Sequence, residues 1–241
     1  MFVIASPEYL RFYDSTMRML AERGHHVSIA VNWLRERKAA RLDGLSGDEG
    51  IDVLGLVPKR TDVWTPMARA VRGTFDFVRY LHPRLAEAPA LRARMKRKVL
   101  PPWLHGLDRV HALGDRGLAR VYGLLQALER AIPVSRRITE FLVAHRPDVV
   151  VVSPLVDAAS DQVDLVRAAQ ASGIPVVAAI ASWDNLTNKG HLRVQPDVVA
   201  VWNEHQKREA IAYHGIDADR IVVTGAQLFD RWFDQIGRAH V

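Results

Sequence analysis

The chain has 241 residues, 49% of them apolar, which is enough for one large α/β domain or two small ones with a substantial core. It has no cysteine, which excludes disulfides and zinc–thiolate sites, and it shows neither a signal peptide nor the roughly 20 apolar residues of a membrane span, so we expect a cytoplasmic protein. The net charge of +6 favours anionic partners such as nucleotides, phospholipid surfaces or acidic glycans, without choosing among them.

The N-terminal part predicts three strands and one helix. Short apolar runs predict strands at Phe2–Ala5 and His25–Val31, and a third at Ile51–Val57 that Gly55 weakens. A helix over Ser15–Arg23 separates the first two strands. An apolar strand, a helix and a further apolar strand in succession are typical of a parallel sheet layered with helices.

The segment from about 58 to 135 differs in character and predicts a helical insertion. An apolar stripe with spacings of three and four runs through Trp64, Met67, Val71, Phe75, Val78 and Leu81. Eleven basic side chains lie between Lys59 and Lys98 against three acidic ones. This composition is typical of a solvated basic face on helices that pack against the sheet. The sharper alternative is a patch for a membrane surface or an anionic lipid-linked substrate, formed by Arg92, Arg94, Lys96, Arg97 and Lys98.

The stretch from Pro147 to Gly190 predicts a complete βαβ unit. Asp148–Ser153 and Ile174–Ala181 are continuous β-branched or apolar runs, as expected of strands buried on both faces. Between the two strands, apolar residues recur at helical spacing and predict a helix, which ends at Gly173. The second strand leads into the polar loop Ser182–Gly190, with the sequence SWDNLTNKG, where we expect a functional site.

Two further strands follow, at Asp197–Val201 and Ile221–Thr224. Asn203 and Gln206 have the spacing of a capping box and predict the start of a helix that ends at His214. Another helix is expected over Leu228–Gln235. The last six residues, 236–241, resemble the in-frame translation of a sequencing adapter, so we expect the native sequence to stop at Gln235 and the chain to be a fragment.

Together these elements predict an α/β fold with a doubly wound parallel sheet, Rossmann-like, carrying a helical insertion. Ligands of such sheets bind outside the carboxyl ends of the strands. That rule selects the polar turns that follow each strand. They are Glu8–Tyr13, Asn32, Ser153–Asp157, Ser182–Lys189, Trp202–Glu204 and Thr224–Gln227.

Within these turns, the residue types suggest binding and acid–base roles. Asp184 and Asp157 are the candidate bases that would deprotonate a hydroxyl. The candidate binding residues combine aromatic, amide and charged groups: Tyr9, Arg11, Trp183, Asn185, Asn188, Lys189, Asn203 and Glu204. The alternative for the acidic and amide residues is that they only cap backbone groups of turns and helices. The alternative for Arg11 is that it is an ordinary surface arginine without a binding role.

The sequence lacks the motifs of several common types of functional site. No glycine-rich dinucleotide fingerprint follows the first strand, there is no phosphate-binding P-loop, and the nucleophile elbow of α/β-hydrolases is missing. No metal-ligand spacing stands out, so we expect neither a metal nor another cofactor.

Three segments resemble the N-terminal domain of GT-B glycosyltransferases. Leu20–Val31 (LAERGHHVSIAV) is similar to the passage from the first helix to the second strand, and Arg220–Gln227 (RIVVTGAQ) to the end of that domain. The Ser182–Gly190 loop resembles that of bacterial surface-polysaccharide glycosyltransferase-like proteins. The first turn departs from the pattern, since Tyr9, Arg11, Phe12 and Tyr13 stand where many members have a glycine-rich turn and a histidine.

The resemblance implies a Rossmann-like, acceptor-side domain over residues 1–235, with a nucleotide-sugar donor held by a second domain that this chain lacks. It implies transfer of a sugar to a polysaccharide or lipid-linked acceptor at the inner face of the membrane, and a fragment that is inactive alone. No nucleic-acid partner is expected. The alternatives are a fragment of a UDP-N-acetylglucosamine 2-epimerase-like enzyme and a non-catalytic peripheral-membrane binding module.

Overall fold

A computed structural model describes residues 1–34, 42, 44, 45, 47–230 and 232. Half of the predicted final helix, at 231 and 233–235, and the whole 236–241 tail lie outside the described residues. The described part contains one sheet of seven strands, and every neighbouring pair in it is parallel. The strands are β1 Phe2–Ile4, β2 Val27–Val31, β3 Ile51–Leu56, β4 Val150–Ser153, β5 Val176–Ala179, β6 Val198–Val201 and β7 Ile221–Val223.

The strand order β3-β2-β1-β4-β5-β6-β7 confirms the prediction of a doubly wound, Rossmann-like sheet. The order reverses between β1 and β4. On either side of that point the right-handed connections run in opposite directions, so the loops that follow these two strands part and leave a crevice at the carboxyl edge.

The helices are α1 Asp14–Glu22, α2 Thr65–Arg79, α3 Pro89–Val99, α4 Gly114–Ala131, α5 Arg136–His145, α6 Gln162–Ala171, α7 Asn185–Asn188 and α8 Glu204–His214. Helices α2 to α4 make up the helical segment between β3 and β4. Pro66 and Pro89 lie in the first turns of α2 and α3, where backbone N–H groups make no hydrogen bond within the helix, so the missing N–H of proline breaks none. No helix in the described part is long and apolar enough to cross a bilayer.

Alternation along the strands divides the core into two layers. Phe2 and Ile4 join the cluster beneath α1, whereas Val3 joins the larger cluster beneath α5 and α6. The helical segment has a third cluster of its own, which contains Val71, Phe75 and other members of the predicted apolar stripe.

The expectation that β4 and β5 are buried on both faces is correct for one face. Val150, Val152 and Val176 are fully buried beneath the larger helix layer. Val151 and Val177 are only half-buried on the other face, because α1 covers β1 and β2 and does not extend over β5.

The basic segment is only partly a solvated face, contrary to the simpler prediction. Arg60, Arg72 and Arg79 are buried, at 7%, 3% and 3% exposure. Arg72 on α2 binds Glu129 and Asp164, with N–O distances of 2.7–3.3 Å, and Arg60 shares Asp164 at 3.0 Å. Spacing alone could not place Arg60 and Arg72 inside, because Glu129 and Asp164 come from α4 and α6.

Candidate functional site

The carboxyl edge of the sheet holds a cleft of about 470 Å³ between the turn after β1 and the loop after β5. This cleft brings together five residues predicted from the sequence: Tyr9, Arg11, Asp184, Asn185 and Lys189. Glu8, Phe12, Ala181 and Ser182 complete its walls. The two loops are far apart in sequence and meet because parallel strands end on one edge.

Tyr9 lies close enough to both predicted bases to feel their charges. Its pKa is raised to about 12, mainly by burial and then by the negative charges of Asp157 and Asp184, while Arg11 opposes the shift. The phenol is therefore protonated at neutral pH, and its O–H can donate a hydrogen bond. Both carboxylates are therefore near this ring, although they line different recesses.

Asp157 lines a smaller recess of about 170 Å³, together with Asn32, Lys59 and Ser160. Its carboxylate has no hydrogen-bond partner among the described residues, and it lies five residues before α6, so it does not cap that helix. Its backbone carbonyl accepts from Ser160 N at 3.0 Å.

The loop that carries Asp157 has an unusual backbone. Leu155 and Ala159 have positive φ angles, 52° and 54°, although neither is glycine. Such conformations cost about 1–3 kcal/mol each and persist only where surrounding contacts enforce them. They are most common at binding and catalytic sites, which fits the position of this loop at the crevice.

Asp184 is held in place within its own loop. Its Oδ2 accepts a hydrogen bond from Asn188 Nδ2 at 2.8 Å. Partial burial works against ionisation, but the hydrogen bonds from Ser182 and Asn188 and the charge of Lys189 outweigh it and lower the pKa of Asp184. Asp184 is thus a stable anion, better suited to accepting hydrogen bonds than to removing a proton.

Asn185 and Asn188 shape the loop. Asn185 is buried, and its Oδ1 accepts from the backbone N of Ala181 and of Ser182, both at 3.1 Å. The capping role that the sequence left open is therefore the one found for this oxygen. Asn188 contributes to the loop through its bond to Asp184 and does not line the cleft.

Besides Asn188, three other predicted binding residues do not line the cleft: Trp183, Asn203 and Glu204. Trp183 is 74% exposed at the outer side of its loop. Asn203 caps α8, since its Oδ1 accepts from Gln206 N at 2.9 Å, which confirms the predicted helix start, while Gln206 Oε1 accepts from Trp202 N at 2.8 Å, one residue before the cap. Glu204 is exposed in the first turn of α8.

The 182–190 loop is anchored from behind by Arg79 at the end of α2. The Arg79 guanidinium donates to four carbonyls of the loop, those of Leu186 (2.5 Å), Thr187 (3.1 Å), Lys189 (3.1 Å) and Gly190 (2.8 Å). The adjacent Tyr80 adds a hydrogen bond from its hydroxyl to Lys189 O at 2.7 Å. The helical segment therefore fixes the conformation of the loop that forms one wall of the cleft.

Asp76, one turn before Arg79, secures the end of the same loop. Its carboxylate accepts from Ala159 N at 2.6 Å and from His191 N at 2.8 Å, and it pairs with the buried Arg193. A Cβ on Gly190 would lie 2.6 Å from Asp76 Oδ1, so only glycine allows this approach. Asp76 therefore connects the loops that follow β4 and β5.

Two buried histidines complete the support. His214 donates from Nε2 to Leu186 O at 2.8 Å, because its Nδ1 accepts from Leu192 N at 3.1 Å. The Nδ1 atoms of His191 and His214 are 3.2 Å apart. Burial and the charges of Arg79 and Arg193 lower the pKa of His191 to about 3, and that of His214 is also far below its usual value. Both rings are neutral at pH 7.

Sequence reasoning missed this supporting layer. Arg72, Asp76 and Arg79 recur at spacings of four and three, the same spacing as the apolar stripe of α2. A charged row beside an apolar row was the one available signal of a buried polar face.

The basic patch adjoins the same loop. Arg94 on α3 donates from Nη2 to Asn188 O at 3.1 Å, while Arg97 and Lys98 are exposed. Arg92 and Lys96 are half-buried. Among the described residues, no group of three or more His, Asp or Glu side chains is arranged to hold a metal ion.

No family model, curated protein or solved structure matches the chain.

Proposed function

We propose that the cleft binds a hydroxyl-bearing acceptor, such as a sugar, for glycosyl transfer. The observation that supports this most is the position of Tyr9 near both Asp157 and Asp184, at the carboxyl edge where the strand order reverses. The phenol of Tyr9, the carboxylates of Glu8 and Asp184 and the cations Arg11 and Lys189 line a cleft large enough for a monosaccharide, and Asp157 lines a separate recess near Tyr9. Sugar hydroxyls both donate and accept hydrogen bonds, so they suit such a mixed lining.

In this proposal the two carboxylates differ in role. Asp157 has no hydrogen-bond partner among the described residues and is the base that takes the proton of the attacking hydroxyl. Asp184 is kept ionised by its neighbours and accepts hydrogen bonds from other hydroxyls of the acceptor. The sequence resemblance to GT-B enzymes supplies the donor, a nucleotide sugar held by a second Rossmann-like domain.

The test is NMR titration of the isotopically labelled chain with a panel of hexoses and N-acetylhexosamines. We expect saturable shifts at Tyr9, Asp157 and Lys189, and we expect uridine diphosphate alone to leave these signals unchanged. Asp184→Asn should weaken sugar binding about three- to tenfold, since one charge-assisted hydrogen bond becomes neutral. Asp52→Asn, an exposed carboxylate near the start of β3, is the matched control. The proposal fails if no sugar moves the signals of the cleft.

A second candidate function, binding to an anionic membrane surface, rests on α3. The basic patch adjoins the 182–190 loop through Arg94, and Trp103, soon after α3, is 74% exposed. Basic residues beside an exposed tryptophan are typical of contact with an anionic lipid surface. Such contact would place the cleft near a lipid-linked acceptor.

Vesicle sedimentation separates this function from the first. We expect binding to vesicles with about 30% phosphatidylserine and none to pure phosphatidylcholine. Replacing the five patch residues with alanine should abolish it while sugar shifts in the cleft persist. Unchanged sedimentation of that variant would rule out the patch.

A further inference from the structure

A second cavity, of about 310 Å³, lies behind the 182–190 loop and is separate from the cleft. Helices α2, α4 and α8 and the chain after Gly190 form its walls. None of its lining residues lines the cleft. The residues that matter here are Arg79, Arg193, Tyr122, Gln126, Ile211 and Tyr213.

The charge around this cavity is unbalanced. None of the described residues that line it is acidic. Two buried arginines do line it, Arg79 and Arg193, at 3% and 6% exposure. Asp76 is the buried carboxylate beside them, and it pairs with Arg193. Arg79 hydrogen-bonds to carbonyl oxygens, and the charge of Asp76 acts on it as well, so this one carboxylate is shared by two buried cations.

Each of the two guanidinium groups also has one N–H that donates no hydrogen bond. The Nε–H of Arg79 and that of Arg193 are buried without a hydrogen-bond partner in the described part of the protein. A buried donor left unpaired is destabilising, and so is a buried cation that shares its counter-charge with a second cation. Burial accordingly lowers the pKa of Arg79. An anion in the cavity would relieve this deficit.

The remaining walls define the rest of the ligand. The rings of Tyr122 and Tyr213 face the same space as Ile211 and Leu192, which gives flat and apolar surfaces. The Arg79 guanidinium lies 6.0 Å from the centre of the Tyr213 ring, so the cation is close to the aromatic wall. The volume is at the lower end of small-molecule sites, which suits a ligand of one or two rings.

We propose that this cavity is a binding site for a small organic anion, a carboxylate or phosphate attached to an aromatic or apolar body. The anionic group binds at Arg79 and Arg193, and the body packs against Tyr122, Tyr213 and Ile211. Because the same Arg79 holds four carbonyls of the 182–190 loop, occupancy of the cavity alters the loop that forms the cleft. This inference does not depend on what the cleft binds.

The test uses phenyl phosphate and benzoate as probes, with benzyl alcohol as the neutral analogue and inorganic phosphate as the anion without a body. Each is titrated into the full chain while the Nε–H signals of Arg79 and Arg193 and the ring signals of His191 are followed by NMR. We expect both organic anions to shift these signals saturably and benzyl alcohol to leave them unchanged. Inorganic phosphate should bind at least about tenfold more weakly than phenyl phosphate, because it buries no apolar surface.

Two pairs of variants make the result specific. Gln126 is exposed at the cavity wall, so Gln126→Glu and Gln126→Lys should both fold. The first adds an anion and should weaken phenyl phosphate binding about three- to tenfold, whereas the second should not weaken it. Ile211→Trp fills the cavity from a position that is 41% exposed and should abolish binding, whereas Ile211→Val should preserve it.

Four results would each overturn the proposal: no shift at Arg79 and Arg193 with any anion, equal binding of benzyl alcohol, equal binding of inorganic phosphate, or binding that Ile211→Trp leaves intact. Shifts of the Thr187 and Gly190 amides on binding are expected from the coupling to the loop. Anion binding without those shifts would overturn the coupling.

Discussion

Arg72 and Arg79 lie two turns apart on the same helix, and both are buried, yet they are held in opposite ways. Arg72 meets two carboxylates, Glu129 and Asp164, at hydrogen-bonding distance. Arg79 meets four backbone carbonyls of the 182–190 loop. In the first arrangement carboxylates balance the cation, with Arg60 and Arg167 as further partners, and the pairs join three helices. The second retains its charge and fixes a loop, which is why both the cleft and the organic-anion cavity adjoin it.

The comparison predicts its largest effect for Arg72→Met. Removing this cation leaves two buried carboxylates facing each other, with Arg60 and Arg167 as partial remaining partners. We expect a loss of about 3–5 kcal/mol in the free energy of unfolding, measured by urea denaturation. The control is Arg136→Met on α5, whose exposed pair with Glu140 should contribute no more than about 0.5 kcal/mol.

Replacing Glu129 by glutamine in the Arg72→Met variant should recover part of the loss, since it removes one unpaired charge. A loss below about 1 kcal/mol in the single variant would contradict the assignment of this pair as the structural anchor.

The next effect is on the pH dependence near Arg79. His191 and His214 have lowered pKa values in the folded protein, so the unfolded chain binds protons there that the native state does not. Their contribution to stability is complete above about pH 6.5, the usual histidine value, and declines as the pH falls towards about 3 for His191. We expect a slope of about 1.4 kcal/mol per pH unit for each histidine within that window.

Chemical denaturation between pH 7 and 5 measures this slope. His191→Gln should reduce the slope by about 1.4 kcal/mol per pH unit, the contribution of one bound proton. Tyr122→Phe changes a neighbouring ring that does not titrate in this range and should leave the slope unchanged. An identical slope in wild type and His191→Gln would show that this histidine has the same pKa in the native and unfolded states.

Arg79→Met should have a smaller effect on global stability than Arg72→Met, about 1–2 kcal/mol. It leaves carbonyls without donors, but it leaves no carboxylate without a cation and it removes a charge whose burial is costly. Urea denaturation of both variants under the same conditions tests the ranking. Equal or reversed losses would mean that Arg79 is neutralised by a partner outside the described residues.

The smallest effect is expected for Asp184→Asn, below about 0.5 kcal/mol on unfolding. Asp184 is half-exposed, and the loop that carries it is held by Arg79 and not by its own carboxylate. Thermal unfolding by circular dichroism measures the change. A loss comparable to that of Arg79→Met would place the anchor of the loop inside the loop itself.

The sheet could be predicted from the sequence because its signals are local. The β-branched run at Asp148–Ser153 and the glycines that end helices, such as Gly173 and Gly215 with φ of 71° and 64°, act within a few residues. The capping residue Asn203 was predictable for the same reason. The carboxyl edge then followed from strand direction alone, and with it the joint position of Tyr9 and Asp184.

The role of Arg79 in holding the 182–190 loop could not be predicted, because the groups that it binds are backbone carbonyls and not particular side chains. Arg79 binds backbone carbonyls 107–111 residues further along the chain, and any sequence has carbonyls. An arginine on an amphipathic helix therefore has the same appearance whether it is buried or solvated. The burial of Arg60 and Arg72 was hidden for a related reason, since Asp164 and Glu129 belong to helices that only the tertiary fold brings near.

The most direct test of the central claim, that Arg79 holds the 182–190 loop in place, is amide hydrogen exchange followed by mass spectrometry. Thr187, Asn188 and Gly190 donate backbone hydrogen bonds in the native loop. In Arg79→Met we expect their exchange to accelerate at least about tenfold while the strands stay protected. In Arg72→Met we expect these amides to change no more than the strands do. Loop protection that is the same in Arg79→Met and wild type would contradict the account.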